Sequence, residues 1–159
     1  MDARYGAIYD QQAARYDRLV AREDHAGNLW RALDALGIGG GRVVEFGAGT
    51  GRLTRWLADR GATVLDFDGA APMLRLAAEQ VTGRVAFAVA DNARLPLPDG
   101  CADVAIEGWS FGHWADDGAD AMVAEMLRVL RPGGRAVIIE TLGTGVEAPS
   151  VALNGGSPR

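Results

Sequence analysis

Apolar positions recur along this chain in two rhythms. As far as residue 36 they fall at helical spacing. One segment covers about 7–20, with Tyr5, Tyr9 and Tyr16 on or beside it, and a second begins near 23–24. The second sets Leu29, Trp30, Leu33 and Leu36 on one face and ends at Gly37 and the Gly39, Gly40, Gly41 run. Beyond residue 41, short, nearly continuous apolar runs alternate with amphipathic stretches. Strands are predicted over 43–46, 62–68, 84–89, 102–106 and 135–140, and helices over 52–60, 71–80 and 117–130. Gly61 closes the first of these helices as a C′ glycine, and Pro72 sits where its missing N–H costs little. Arg131, Pro132, Gly133 and Gly134 stop the last helix. Strands without polar alternation, separated by helices, predict an α/β domain with a parallel sheet covered on both faces and right-handed crossovers. In such a sheet a ligand binds beyond the carboxyl ends of the strands, where strand order reverses. The first strand is the expected reversal point.

Composition narrows the partners more than the fold. The chain has 159 residues, room for one domain with a sizeable core, and all 16 of its basic residues are arginine. The absence of lysine removes Schiff-base and lysine-base chemistry. A net charge of -5 argues against a nucleic-acid partner. Cys101 stands alone, so neither an internal disulfide nor a cysteine-ligated metal site is expected, as in a reducing cytoplasm. The sequence shows no signal-like or membrane-length apolar stretch and no internal repeat.

The candidate chemistry gathers around residues 42–53. Val43, Val44, Glu45 and Phe46 run into Gly47, Gly49 and Gly51 at alternate positions, and helical spacing resumes at Arg52. Glycine permits positive φ and close approach of a ligand, while the helix start supplies unpaired N–H donors and a positive dipole end. Asp68 ends the second strand about 20 residues after Gly47, where a carboxylate can accept both hydroxyls of a ribose. Asp66 lies deeper in that strand and is the weaker candidate. A glycine turn plus a distal acid suits either a nicotinamide dinucleotide or another adenosine cofactor. Arg52 occupies the place where a dinucleotide turn wants its last glycine, which disfavours the nicotinamide reading. After the third strand, Asp91 can accept from an adenine amino group, Asn92 offers a backbone N–H, and Leu95 offers either an apolar face or a core residue.

With these residues the chain resembles the class I S-adenosylmethionine-dependent methyltransferases over roughly 1–142. The run from Val44 to Gly51 resembles their first motif, and Asp68 with Pro72, Met73 and Leu74 their ribose-binding acid and following helix. Ala90, Asp91, Asn92 and Ala93, followed by Leu95, Pro96, Leu97, Pro98 and Asp99, resemble their adenine loop. Met126 to Gly134 resembles the junction into the fifth strand, and the Tyr9-Asp10 and Tyr16-Asp17 pairs resemble the helical cap of small-molecule members. The resemblance implies a Rossmann-like doubly wound fold with five parallel strands in the order 3-2-1-4-5 and a helical cap over 1–36. The cofactor it implies is S-adenosyl-L-methionine. Glu45, Gly47, Ala48 and Gly49 would meet its methionine part, Asp68 and Met73 the region of the ribose, and Asp91, Asn92 and Ala93 the adenine. Glu45 has a second reading, as a cap for backbone N–H groups of the turn.

Methyl transfer from a sulfonium needs alignment and exclusion of water, with a base only where the acceptor holds a firm proton. After the fourth strand come Glu107, Trp109, Phe111, His113 and Trp114. His113 is the candidate catalytic base by type, its other reading being a packed histidine. His25 is read as structural or substrate-facing. Tyr16, Trp109 and Phe111 are candidate substrate residues for a small, flat acceptor, or alternatively packing aromatics. After Thr141 the chain departs from the resemblance: 143–159 read as a flexible tail, and the final antiparallel strand pair of relatives is not seen. Three expectations follow from that: a shortened enzyme, a module that holds the cofactor without turnover, or a homodimer formed through the bare fifth-strand edge.

Overall fold

A computed structural model of the chain describes residues 3–21, 24, 26–113 and 118–140, and the side chains among them from Gln12 onward apart from that of His113. The strands are β1 (Arg42–Phe46), β2 (Thr63–Asp68), β3 (Arg84–Val89), β4 (Ala102–Gly108) and β5 (Leu130–Ile139). They form one sheet in the order β3-β2-β1-β4-β5, and every pairing is parallel. Fold class and strand order are those expected. β1 pairs with β2 on one side and β4 on the other, so the reversal point falls at the glycine turn.

Among the described residues there are five α-helices around the sheet: α1 (Ala3–Val20), α2 (Asn28–Leu36), α3 (Arg52–Asp59), α4 (Ala71–Gln80) and α5 (Ala119–Val129). Successive strand residues point to opposite faces, and in the central strands β1, β2 and β4 both faces are largely buried. Val43, Val64, Val104 and Ile106 pack under Leu33 of α2 and Leu53, Trp56 and Leu57 of α3. Val44, Phe46, Phe67 and Ala105 pack on the other face against Met122, Met126 and Val129 of α5. Burial of a side chain such as Phe46, wholly inside, contributes about 2–3 kcal/mol. α4 lies against β2 and β3 and carries α1 on its outer side.

Several boundaries move, each for a local reason. α2 starts at Asn28 rather than near 23–24, because the Asp24 carboxylate accepts from the Asn28 and Leu29 N–H groups (2.8 and 3.0 Å) after Gly27 turns the chain at φ 66°. Its cap therefore stands four residues upstream of the helix. α1 begins earlier than expected, at Ala3, and is broken at Gln12 (φ -128°). Residues 131–134 do not simply end a helix. Leu130 pairs with Ala102 and Arg135 with Val104, so four residues bulge out opposite Asp103, with Gly133 at φ 79° and Arg131 bound to the Asp103 carboxylate at 2.5 Å. The tail expected over 143–159 and the missing strand pair fall outside the described residues. Among those residues β5 is an edge strand, with Ile138 well exposed.

Candidate functional site

The turn after β1 is held from β2. The Gly47 and Ala48 N–H groups both donate to the Phe67 carbonyl (2.8 and 3.0 Å), and the Gly49 N–H donates to Asp68 Oδ2 (2.9 Å). The other Asp68 oxygen accepts from the Ala70 N–H at 2.7 Å. Two of the glycines differ in what they meet. Gly47 has φ 75°, and a Cβ there would stand 2.5 Å from Ser110 Oγ. Gly49, at φ 53°, faces open space, with nothing among the described residues within 4 Å of a Cβ.

That open space is a cavity of about 480 Å³ at the carboxyl ends of the strands. Of the residues singled out from the sequence, Tyr16, Gly47, Gly49, Asp68, Met73, Asp91, Asn92 and Trp109 line it. A recess of about 40 Å³ behind the glycines adds Glu45, Ala48 and Arg52. Ala93 lies outside the lining, its N–H donating to Asp91 Oδ1 at 2.9 Å. Phe111 packs against the core under α5 instead of lining the cavity. Leu95 is likewise core, 4% exposed, so of its two readings the packing one holds. His113 closes a single 3-10 turn (Phe111–His113), and its side chain, with His25 and Trp114, lies outside the described residues. Four lining residues were not singled out, Gly69, Val89, Gly108 and Ser110, while Ala90 was named only as part of the adenine loop. All sit at or just past the end of a strand, which is the signal that would have found them.

The loop carrying Asp91 and Asn92 is tied down from α5. Glu125 accepts from the Leu95 N–H (2.6 Å), and Arg128 binds Glu125, Asp99 and the Leu97 carbonyl at 2.6–2.8 Å. This pairing holds the Glu125 carboxyl below the usual range, the Arg128 bond contributing most. Arg128→Ala leaves a buried carboxylate unpaired and the loop untethered. A lower melting temperature together with weaker cofactor binding is the expected result, and calorimetry of both quantities checks it.

Three other carboxyls are pushed the opposite way. Burial, then the neighbouring Asp66, raises Glu45 well above its ordinary range, and burial raises Asp66 to about 7. Burial likewise raises Glu107 to about 7, against the Ser110 and Phe111 N–H groups that favour its charged form. Glu45 Oε2 and Asn92 Oδ1 are buried acceptors with no hydrogen-bond partner among the described residues. Trp109 is held in a left-handed conformation (φ 61°), which costs a non-glycine residue about 1 kcal/mol. Its N–H donates to the Ile139 carbonyl (2.8 Å), and the Arg52 guanidinium lies 4.6 Å from its ring and 5.4 Å from that of Trp30. Trp30 stacks in turn on Trp56 (5.9 Å), so Arg52, in the place of a dinucleotide turn's glycine, anchors an aromatic column beside the cavity.

A glycine turn at the reversal point of a doubly wound sheet, with one carboxylate past β2 and another past β3, defines a nucleoside-cofactor-binding α/β domain. The model of a methyltransferase domain matches residues 44–138. The chain belongs to that methyltransferase family. It is 41% identical over 157 residues to a demethylmenaquinone methyltransferase of Beutenbergia cavernae, a match covering 93% of this chain and 62% of the relative. It is 34% identical over 140 residues to an uncharacterised methyltransferase of Geobacillus kaustophilus, covering 84% and 65%. A solved S-adenosylmethionine-dependent methyltransferase of Mesorhizobium loti superposes with a TM-score of 0.57 at 33% identity, covering 69% of this chain and 51% of that one. The chain spans about three fifths of the length of the curated relatives it matches. Of the adenosine cofactors that the glycine turn left open, nicotinamide or another, the methyltransferase family supports S-adenosylmethionine. The described residues fit it, with an open glycine, two orphan acceptors for its amino groups and a carboxylate at ribose position. Among the described residues no helix is long and apolar enough to cross a membrane, and no group of three or more acidic, histidine or cysteine residues is arranged to hold a metal.

Proposed function

We propose that this chain transfers the methyl group of S-adenosylmethionine to a small, flat acceptor. The observation that carries this reading is the cavity over Gly49 with Asp68 on one side and Asp91 and Asn92 on the other. Glu45 and the Gly47, Ala48 and Gly49 backbone hold the methionine part, Asp68 the ribose, with Met73 beside it. Asp91 and Asn92 hold the adenine, whose face meets Val89, an apolar residue left 58% exposed in the cavity wall. Ala93 supports the adenine loop through its bond to Asp91. The bound cofactor supplies an electrophilic methyl, and the chain's task is to align the acceptor and keep water out. Tyr16 and Trp109 form the aromatic walls of the acceptor side, with Phe111 behind, and His113 is the candidate base for an acceptor that must lose a proton.

The acceptor's flatness is supported by those aromatic walls and by relatives that are named demethylmenaquinone methyltransferases. Incubation with labelled S-adenosylmethionine, first with a demethylmenaquinone and then with a metabolite extract, tests the proposal. Label is expected in a small, extractable product. Tight cofactor binding with no transfer to any acceptor would instead favour a module that holds the cofactor without turnover.

A further inference from the structure

Beneath the glycine turn lies a pair of carboxyls of which the proposed function uses only one. The register of β1 and β2 sets Glu45 directly beside Asp66, and partners on adjacent strands, about 4.8 Å apart, project from the same face. That face is covered by α3, whose Thr54 adjoins both groups. Glu45 is 2% exposed and Asp66 0%. Glu45 Oε2 and both Asp66 oxygens take no hydrogen bond from a protein donor among the described residues. The charged group that acts on both is Asp68, a third negative charge on the same strand. On α3, Arg52 is held over the Trp30 and Trp109 rings and Arg55 is turned to Gln80, while Arg75 and Glu79 of α4 are exposed. Two carboxylates in one dry site cannot both ionise without a cation. A single proton between them turns two orphan acceptors into a donor and an acceptor.

Glu45 also lines the recess behind Gly47 and Gly49, which shares Tyr16, Gly108 and Trp109 with the main cavity. We propose that Asp66 is a positioning residue that shares one proton with Glu45, and that the cofactor's ammonium group displaces this proton to solvent when it binds. Asp66 acts through Glu45 and does not itself touch the cofactor. The role presupposes Glu45 as the ammonium's partner. Because the cation favours the ionised pair, the bound protein holds fewer protons than the free protein. Affinity therefore rises with pH through the pair's titration, by up to about tenfold per pH unit for one proton.

Calorimetric titration of the full chain with S-adenosylhomocysteine, whose only cationic group is the ammonium, tests this in two buffers of different ionisation enthalpy. Between about pH 6 and pH 7.5 the unsubstituted protein is expected to release up to one proton per ligand bound. In Asp66→Asn, and in Asp66→Ala, which only removes atoms, Glu45 faces no second carboxyl and titrates at lower pH. Burial still raises Glu45 in both variants, so each is expected to shift the proton release to lower pH and to release measurably less in that window, while binding within a few-fold of the unsubstituted protein at its upper end. Glu107, on the other side of β1, titrates in the same range, so the readout is the difference between variant and parent. Proton release unchanged in both variants overturns the proposal. Glu45→Gln separates the two levels. If it weakens binding at least tenfold while the Asp66 variants keep the parental proton release, only the role of Asp66 fails. If Glu45→Gln binds like the parent, the pairing of Glu45 with the ammonium fails and the proposal falls with it.

Discussion

Asp68→Ala is expected to weaken S-adenosylhomocysteine binding by about 100-fold or more, since hydrogen bonds to a charged group contribute about 1.5–3 kcal/mol each and two ribose hydroxyls lose theirs. Each carboxylate oxygen already accepts one backbone N–H, Gly49 for Oδ2 and Ala70 for Oδ1. An ionised carboxylate offers about four lone-pair sites, so one side chain can serve the backbone of the turn and, on the proposed reading, the sugar as well. The same side chain thus fixes the turn and, on the proposed function, meets the ligand. Removing it frees the Gly49 N–H as well, so the loss exceeds that of the ribose contacts alone. Asp68→Asn keeps the shape and one acceptor oxygen and is expected to lose roughly tenfold. Calorimetric titration of both variants checks the ordering, and Asp68→Ala binding within about threefold of the parent would move the ribose elsewhere.

Gly49→Ala carries the second large effect, and it separates binding from folding. An added methyl meets nothing among the described residues within 4 Å, so the cost to the empty protein is that of the left-handed backbone, about 1 kcal/mol. With the cofactor over the turn, that methyl stands in occupied space, and overpacking of about 1–3 kcal/mol predicts about tenfold to a hundredfold weaker binding. Gly47→Ala is the contrast. Its methyl would stand 2.5 Å from Ser110 Oγ and 2.8 Å from Ser110 Cβ whether or not a ligand is present. Melting and titration together should show Gly49→Ala folded but poorly binding, and Gly47→Ala impaired in both. Parental affinity in Gly49→Ala would mean that no ligand lies over the turn.

Much of the fold was legible because punctuation and period agreed. β3 and α4 fall where expected, and β1 and β2 within one residue, each bounded by glycine, proline or an acid. What escaped depends on contacts that no local window contains. α2 starts late because its cap reaches in from Asp24, and β5 extends back to Leu130 because four residues can bulge opposite Asp103. The glycine turn, Asp68, Asp91 and Asn92 could be read as neighbours around one cavity from spacing alone, since their places follow from where strands end. Leu95 could not be sorted between adenine face and core, because Glu125, thirty residues on, draws its backbone inward. Asp66 shows the limit most clearly. Its distance along β2 reveals its face, but only the register with β1 reveals that its neighbour is Glu45. The Arg52 column was hidden for the same reason, its three indoles coming from α2, α3 and the turn after β4.

A crystal structure of the chain with S-adenosylhomocysteine tests the central claim most directly. Its ribose hydroxyls are expected on Asp68, its adenine between Val89 and the Asp91–Asn92 loop, and its amino group toward Glu45 behind Gly47 and Gly49. A ligand seated away from the glycine turn, or one whose ribose leaves Asp68 untouched, would contradict it.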